Sequence, residues 1–567
     1  MNSYLFVFTI SPVQSFIAQA RKTKDLFTGS QLISDLIRNA MNHFNDNEII
    51  FPFKSNKHLP NRFLALINKE NDEEVQKLGE IVENSVRNYF KEKANEIFIK
   101  YLKLDLISNK IFIKQIESFL EIYWTAINLN SDYYEDYENV EKQLSSIKNY
   151  RPFIQLEERG RKCSICGQRN VIIKNDDNKI SDQIKGLINP GEGLCAICFT
   201  KRFYIDKSYP STAEIALSDT INKIENNDEG KNILNKFQQC FGSLFDAQLY
   251  YEENLNKKYF EKQGFSSLIK SIDEIIKCHR ELKKYATSKN LTFPSYYSLV
   301  MFDADSMGDI VAGKKLKENY KHELKEFQKT LAKSLNDFIN QTKLHESAGS
   351  IVYSGGDDFM AFMNLNYLFT ELKTLHKNFD NIINSQVNNF LKDKITFSAG
   401  IVIAHYKTPL NVVIDECRKL EKDAKNISSE KNAFAISVMK HSGEIIKTIY
   451  NWHRDNIFVL DHFNLLSKIL NSNEISNSFI KNFQIEFSEA IHKKEKVHDK
   501  MILTELERLI KNSKAAKEKK DEIIQKVIDN VFGLYYSSTS LKNFVSALNI
   551  IDFIAKYLNG GSNENKN

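Results

Sequence analysis

Short apolar runs of strand length alternate with long stretches of helical period, and their order divides the chain. Tyr4–Ile10 is a short β-rich apolar run that reads as a strand. Ser11-Pro12 follows, pairing a good N-cap residue with one favoured at the first helical position, so a helix is predicted to start there. Val13, Phe16, Ile17 and Ala20 give that helix its apolar face. Glu48–Phe51 and Arg62–Ile67 read as strands, for a β-α-β-β outline. Residues 72–147 read as helical, residues 152–202 as a segment carrying cysteines and glycines, and the chain to Lys289 as helix again.

A second strand-rich unit begins at Tyr296–Phe302. Leu316–Thr342 is predicted as helix, Ser350–Tyr353 and Phe359–Met363 as two strands around a turn, and Tyr367–Phe390 as helix. Thr396–Ala404 reads as strand, Leu410–Lys425 as helix and Phe434–Val438 as strand. The order β-α-β-β-α-β is the ferredoxin-like arrangement, here with one added helix and strand. Everything beyond Gly443 reads as helix, down to the polar tail Asn559–Asn567. No short-period repeat is present, but the two β-α-β-β units have the form of a duplication.

At 567 residues the chain exceeds what one core supports. The divisions above predict an α+β multidomain protein with boundaries at 1–150, 151–205, 206–290, 291–442 and 443–567. Lys and Arg number 78 against 73 acids, so a nucleic-acid surface would be a local patch and not a global field. No apolar run approaches the roughly 18 residues of a membrane span. Met1–Ile10 lacks the basic region and cleavage site of a signal peptide, which leaves a cytoplasmic location as the default and no membrane partner. Seven cysteines in such a chain do not make a disulfide framework.

Candidate chemistry concentrates in two segments, Met301-Phe302-Asp303-Ala304-Asp305-Ser306-Met307-Gly308 and Tyr353-Ser354-Gly355-Gly356-Asp357-Asp358-Phe359. Asp303 stands where an apolar strand ends, at the rim of a sheet. The two glycines make a tight hairpin that would present Asp357 and Asp358 beside Asp303 if the strands are neighbours. Carboxylates converging at a strand end make an all-oxygen site suited to Mg²⁺ or Mn²⁺. Two such ions acidify an attacking 3′-hydroxyl and neutralise charge on an α-phosphate. Asp303 and Asp357 are the first candidates for ligands, with Asp305 and Asp358 as additional or alternating ones. Gly355 and Gly356 leave room for phosphate to approach the backbone, and Ser354 beside them is a further candidate for nucleotide binding. Gly308, at a helix start, could offer amides to a triphosphate. GGDD alone could be an ordinary turn, since Gly and Asp are turn residues; the strand-terminal DxDxMG about fifty residues upstream favours the catalytic reading.

Cys163-Ser-Ile-Cys166 and Cys195-Ala-Ile-Cys198 are two CxxC pairs with 28 residues between them. Four thiolates match a closed tetrahedral Zn²⁺ site with a structural role. The alternatives are redox pairs or unliganded core cysteines. Cys240, Cys278 and Cys417 are isolated and read as buried.

The paired DxD and GGDD segments resemble the active palm of the large subunit of type III CRISPR complexes, particularly the Cmr (III-B) branch. Further resemblance lies in Ser11-Pro12-Val13-Gln14-Ser15-Phe16-Ile17, in Ala20 to Leu26 with Gly29-Ser30, in Leu59-Pro60-Asn61-Arg62-Phe63 and in Phe397 to Lys407. It implies two adenylyl-cyclase-like palms facing each other with ATP between them. The second would hold the carboxylates; the first would supply polar and basic contacts from Gln14, Arg21 and Lys22. Without the family, that stretch is an amphipathic helix with a solvated basic face. Lys425 could touch phosphate, though an ordinary surface lysine is the simpler reading.

The resemblance also implies guide RNA, target RNA and other Cmr-type subunits as partners, and ATP as substrate. The product would be cyclic oligoadenylate or, as in some members without an HD nuclease domain, AMP joined to S-adenosylmethionine. The first palm begins at Tyr4, so no HD domain is expected, and His498-Asp499 reads as a solvated helix face. A stand-alone nucleotide cyclase and a non-catalytic scaffold are the rival readings. The C-terminal helices, with the basic stretch Lys511–Lys520, are expected to dock a small helical subunit or RNA.

Overall fold

In the computed structural model, residues 2–103, 106–130, 132–150, 159–174, 184, 187–355, 357–493, 497–513 and 520–558 are described. The fold is mixed α+β and multidomain. Its first sheet contains β1 (Asn2–Ser11), β2 (Ile49–Phe51), β3 (Arg62–Lys69) and β4 (Glu121–Asn128) in the order β2-β3-β1-β4, all antiparallel. A two-stranded ribbon, β5 (Ile173–Lys174) and β6 (Gly193–Leu194), lies in the cysteine segment. The second sheet runs β12-β11-β10-β7-β9-β8. Its members are β7 (Tyr296–Ala304), β8 (Gly349–Gly355), β9 (Asp358–Met363), β10 (Phe397–His405), β11 (Ala433–Met439) and β12 (Ile445–Asn451). Counted from the first strand of each unit, both sheets place the second, third, first and fourth strands side by side. The second sheet then adds β11, parallel to β10, and β12.

Side chains alternate across a strand, so each central strand feeds two cores. Leu5 and Val7 of β1 share one core with Tyr296, Val300 and Phe302 of β7. Tyr4, Phe6 and Phe8 share the other with Tyr297, Leu299 and Met301. The continuous apolar runs in the sequence follow from this two-sided burial.

Several elements depart from the pattern-based expectation. The helix expected at Ser11-Pro12 starts at Gln14 and ends at Ala18, because Ser11 still pairs with Glu121 in the sheet. The stretch 72–147 is interrupted by β4, whose Trp124 ring lies over Gly79 of helix Asp72–Tyr101; a Cβ there would sit 2.3 Å from the ring. Beyond Gly443 the chain is not all helix. β12 extends the sheet, and the side-chain amide of Asn543 occupies its outer edge, donating to Ile449 O and accepting from Ile449 N, each at 2.9 Å. At Ile449 the edge groups are therefore already paired. His498 caps helix Asp499–Asn512 by accepting from Lys500 N, and Asp499 accepts from Tyr535 Oη at 2.7 Å. Most of Lys511–Lys520 and all of Asn559–Asn567 lie outside the described residues.

Helix Leu410–Lys425 lies directly on β10. A Cβ on Gly400 would come within 2.2 Å of Cys417 O, and the Cys417 thiol donates to Gly400 O at 3.2 Å. That close seat fixes which face of the helix meets the carboxylate-bearing strands. The helices between Thr212 and Ser288 keep a core of their own around Leu234, Phe237, Ile275 and Leu282. Tyr251 stacks on Tyr406, just past β10, with ring centres 4.2 Å apart.

Candidate active site and cysteine centre

β7 and β9 are neighbours in antiparallel register, and Asp303 stands directly opposite Asp358. β8 and β9 pair up to Gly355 opposite Asp358, which places Asp357 just before the start of β9. Gly356 itself lies outside the described residues. Asp357 is tied in through its carbonyl, which accepts from Ala304 N at 3.2 Å. The three aspartates line one cavity of about 1010 Å³. Ser11, Gln14, Asn61, Arg62 and Glu141 from the first unit also border it, so it lies between the two sheets.

Burial and the neighbouring Asp303 charge push the Asp357 carboxyl up to about 6. Burial and Asp357 push Asp358 well above the ordinary carboxylate range. Burial also raises the Tyr353 phenol, with the aspartates adding to it. A group whose folded value lies above its unfolded one costs the folded state stability once it ionises, and that cost fades as pH falls through the folded value. Asp357→Asn is therefore expected to stabilise the metal-free protein by about 1–2 kcal/mol at pH 7.5. The gain should shrink as pH falls through about 6 toward 4. Thermal melts at pH 7.5 and pH 5 check this; an equal gain at both would remove the electrostatic explanation.

One wall of the cavity is charged by helix Leu410–Lys425, which contributes Arg418, Glu421, Lys422 and Lys425. The Lys425 ammonium bonds the Asp303 carboxylate and also Glu421 Oε1, at 2.9 Å. Lys425 is thus an ion-paired wall residue, not an ordinary surface lysine. Arg418 reaches across to the first unit, donating to Gln14 O at 2.9 Å. Arg418, Glu421 and Lys422 were not singled out from sequence. Their spacing with Lys425 was the available signal: a charged stripe opposite the buried Val413, Cys417, Leu420 and Ala424.

The other expected residues separate. Gln14 and Gly308 line the cavity, and the space beside Gly308 is open. Arg21 and Lys22 are not among its lining residues, and Lys22 Nζ instead donates to Leu187 O at 3.0 Å. Asp305 lies beside the cavity lining and not in it. It is buried and accepts from Thr396 Oγ1, Ser398 Oγ and Asn432 N at 2.8, 2.9 and 3.1 Å, bonds that anchor the turn after Asp303. Ser354 is buried and also absent from the lining. At Gly355 the space of a missing Cβ is taken by the Tyr353 phenol, so that glycine accommodates Tyr353.

The cysteine pairs converge. The sulfurs of Cys163, Cys166, Cys195 and Cys198 all lie within 4.8 Å of one another, with Cys166 and Cys195 at 3.8 Å. A tetrahedron with metal–sulfur bonds of about 2.3 Å has edges of about 3.8 Å, so the cluster could hold a metal ion. Cys195 caps helix Ala196–Phe203. That helix sends the buried Arg202 to Asp25 (2.7 and 2.8 Å) and Glu192 (2.8 Å), and Lys201 Nζ to Phe16 O at 2.6 Å. Cys417 and Cys278 are buried, whereas Cys240 is partly exposed.

Two family descriptions match the chain: Cas10/Cmr2, second palm domain, over residues 296–435, and CRISPR-associated protein Cmr2, N-terminal, over residues 5–59. The CRISPR system Cmr subunit Cmr2 of Pyrococcus furiosus is 23% identical, over 79% of this chain and 63% of that protein. The subtype III-A single-strand-specific deoxyribonuclease Cas10/Csm1 of Streptococcus thermophilus is 25% identical, over 61% of this chain and 41% of that protein. The chain thus spans less than two thirds of the length of either relative. In overall fold it is similar to the type III-B Cmr-beta structure in its apo state, with a TM-score of 0.66 at 15% identity, covering 98% of this chain and 82% of that one. The Cmr-beta structure bound to cognate target RNA gives a TM-score of 0.65 at 15% identity, covering 98% and 83%. The palm and N-terminal matches thus fall on the two strand-rich units whose carboxylates and polar groups border one cavity, and over both units the chain is similar to Cas10/Cmr2 proteins.

Proposed function

We propose that the chain is the large subunit of a type III-B CRISPR RNA-guided antiviral complex and a target-RNA-activated nucleotidyltransferase that converts ATP into an adenylate second messenger. The observation that carries the reading is the convergence of Asp303, Asp357 and Asp358 on the cavity between the sheets. The two sheets are read as ferredoxin-like palms, with a structural Zn²⁺ held by Cys163, Cys166, Cys195 and Cys198 between them in sequence and a helical C-terminal domain. Guide RNA, target RNA and further Cmr-type subunits are its partners, in the cytoplasm.

An all-carboxylate donor set fits Mg²⁺ or Mn²⁺, which Asp303 and Asp357 would hold, with Asp358 beside them. When bound, such ions acidify a hydroxyl and neutralise phosphate charge. Arg418, Lys422 and Lys425 give the triphosphate a basic wall, and Gln14 and Asn61 offer polar groups to the acceptor from the facing unit. In the reaction the acceptor's 3′-hydroxyl forms a bond to the α-phosphate of ATP, the bond to the β-phosphate breaks and pyrophosphate leaves. The carboxylates act on the donor phosphate, so the acceptor is either a second adenylate or S-adenosylmethionine.

The test is mass spectrometry of products from the reconstituted complex with guide RNA, matching target RNA, ATP and Mg²⁺ or Mn²⁺, with and without S-adenosylmethionine. A product that needs target RNA and disappears in Asp357→Ala/Asp358→Ala supports the reading, and its mass names the acceptor. Turnover by the chain alone without RNA would favour a stand-alone cyclase. No product in any arm would favour a scaffold.

A further inference from the structure

Lys425 ends helix Leu410–Lys425, which the contact at Gly400 seats firmly on β10. Its ammonium bonds Asp303 on one side and Glu421 on the other. The side chains of Lys425, Asp303 and Glu421 are 22%, 27% and 18% exposed, so this triad is largely withdrawn from solvent. Charge-assisted bonds in such a setting are stronger and less screened than pairs on an open surface. A divalent ion bound by Asp303 would meet the lysine's charge at the same carboxylate, where the low local dielectric magnifies repulsion. Glu421, one turn back on the same helix, gives the ammonium a second anionic seat within reach.

We propose that Lys425 is a tethered counter-cation: it holds Asp303 while no divalent ion is present and yields that carboxylate to the ion, keeping Glu421 as its partner. This rests on the reading of Asp303 and Asp357 as metal ligands. Metal affinity in the native chain is then the ion's own binding less the work of displacing the lysine. A triphosphate offers the displaced ammonium new anionic oxygens, so nucleotide and ion load the site cooperatively. The carboxylate cluster of the nucleotide-free protein is thereby kept from ions that arrive alone.

Mn²⁺ titration of the purified full chain without nucleotide, read as free Mn²⁺ by electron paramagnetic resonance, tests this. Lys425→Met is expected to tighten Mn²⁺ binding roughly tenfold, the worth of one charge-assisted hydrogen bond. Lys419→Met, exposed on the same helix and outside the cavity lining, should stay within about twofold of the native chain. Lys425→Gln serves as a second variant, and circular dichroism reports folding in each. Unchanged affinity in both Lys425 variants, or an equal gain in Lys419→Met, overturns the tethered-cation role. If the native chain shows no Mn²⁺ binding that Asp357→Ala/Asp358→Ala removes, it is instead the metal-site reading that fails.

Discussion

Asp303→Asn in the assembled complex is expected to cut messenger formation by on the order of a thousandfold or more, while the protein stays folded. Asp303 sits one residue from the end of β7, opposite Asp358, with a side chain 27% exposed toward the cavity. The asparagine keeps the shape but loses the charge that binds a hard cation and holds Lys425. Lys425 retains Glu421 as partner, so no buried cation is stranded by the change. Initial rates of pyrophosphate release at saturating ATP and target RNA, with a thermal melt beside them, measure the effect. A rate within a fewfold of the native complex would remove Asp303 from the transfer chemistry. Because residues acting as a unit are not additive, the triple aspartate variant should be scarcely slower than the single one.

Replacing Cys166 by serine should release one equivalent of zinc and lower the first thermal transition by several degrees. The four sulfurs fix the start of helix Ala196–Phe203, and that helix carries Lys201 and Arg202 into the first strand-rich unit. Arg202 is fully buried and bonded to Asp25 and Glu192. A buried ion pair holds only while its geometry does, and breaking one costs about 3–5 kcal/mol. Loss of the metal therefore propagates from the cysteines to the base of helix Thr23–Met41. Zinc content by plasma mass spectrometry and differential scanning calorimetry report the two effects. Cys240→Ser, outside the cluster, is the control and should keep its zinc. A Cys166→Ser protein with undiminished zinc content would rule out the four-thiolate site.

How much of this was legible in the sequence depended on how local each signal is. β10, β11 and helix Leu410–Lys425 emerge within a residue of their expected ends, because apolar runs bounded by Pro409 or by polar turns need no distant partner to be read. β4 was hidden because Glu121–Asn128 has little alternation of its own and lies between two long helical patterns; its identity comes from pairing with β1, more than a hundred residues upstream. β12 was hidden likewise, since Thr448 and Tyr450 turn inward only when β11 and Asn543 flank them. At the site, the DxD and GGDD spacing located Asp303, Asp357 and Asp358. It ranked Asp303 ahead of Asp305, two residues along, but did not show what holds Asp305, which turns on the Thr396, Ser398 and Asn432 donors that reach it.

By itself the sequence determined the strand and helix order of the second unit, the carboxylates at its strand ends and the four-cysteine set. Each is written in residues close together along the chain, and side-chain chemistry is intrinsic to residue type. Only the tertiary structure decided that Asp305 anchors a turn, that Gly355 accommodates Tyr353, and that Lys22 faces away from the cavity toward Leu187. It also decided that Arg418 and Lys425 form a wall of the cavity and that Lys425 holds Asp303. Those roles are set by which groups from distant segments reach hydrogen-bonding distance, and burial then magnifies every charge they carry.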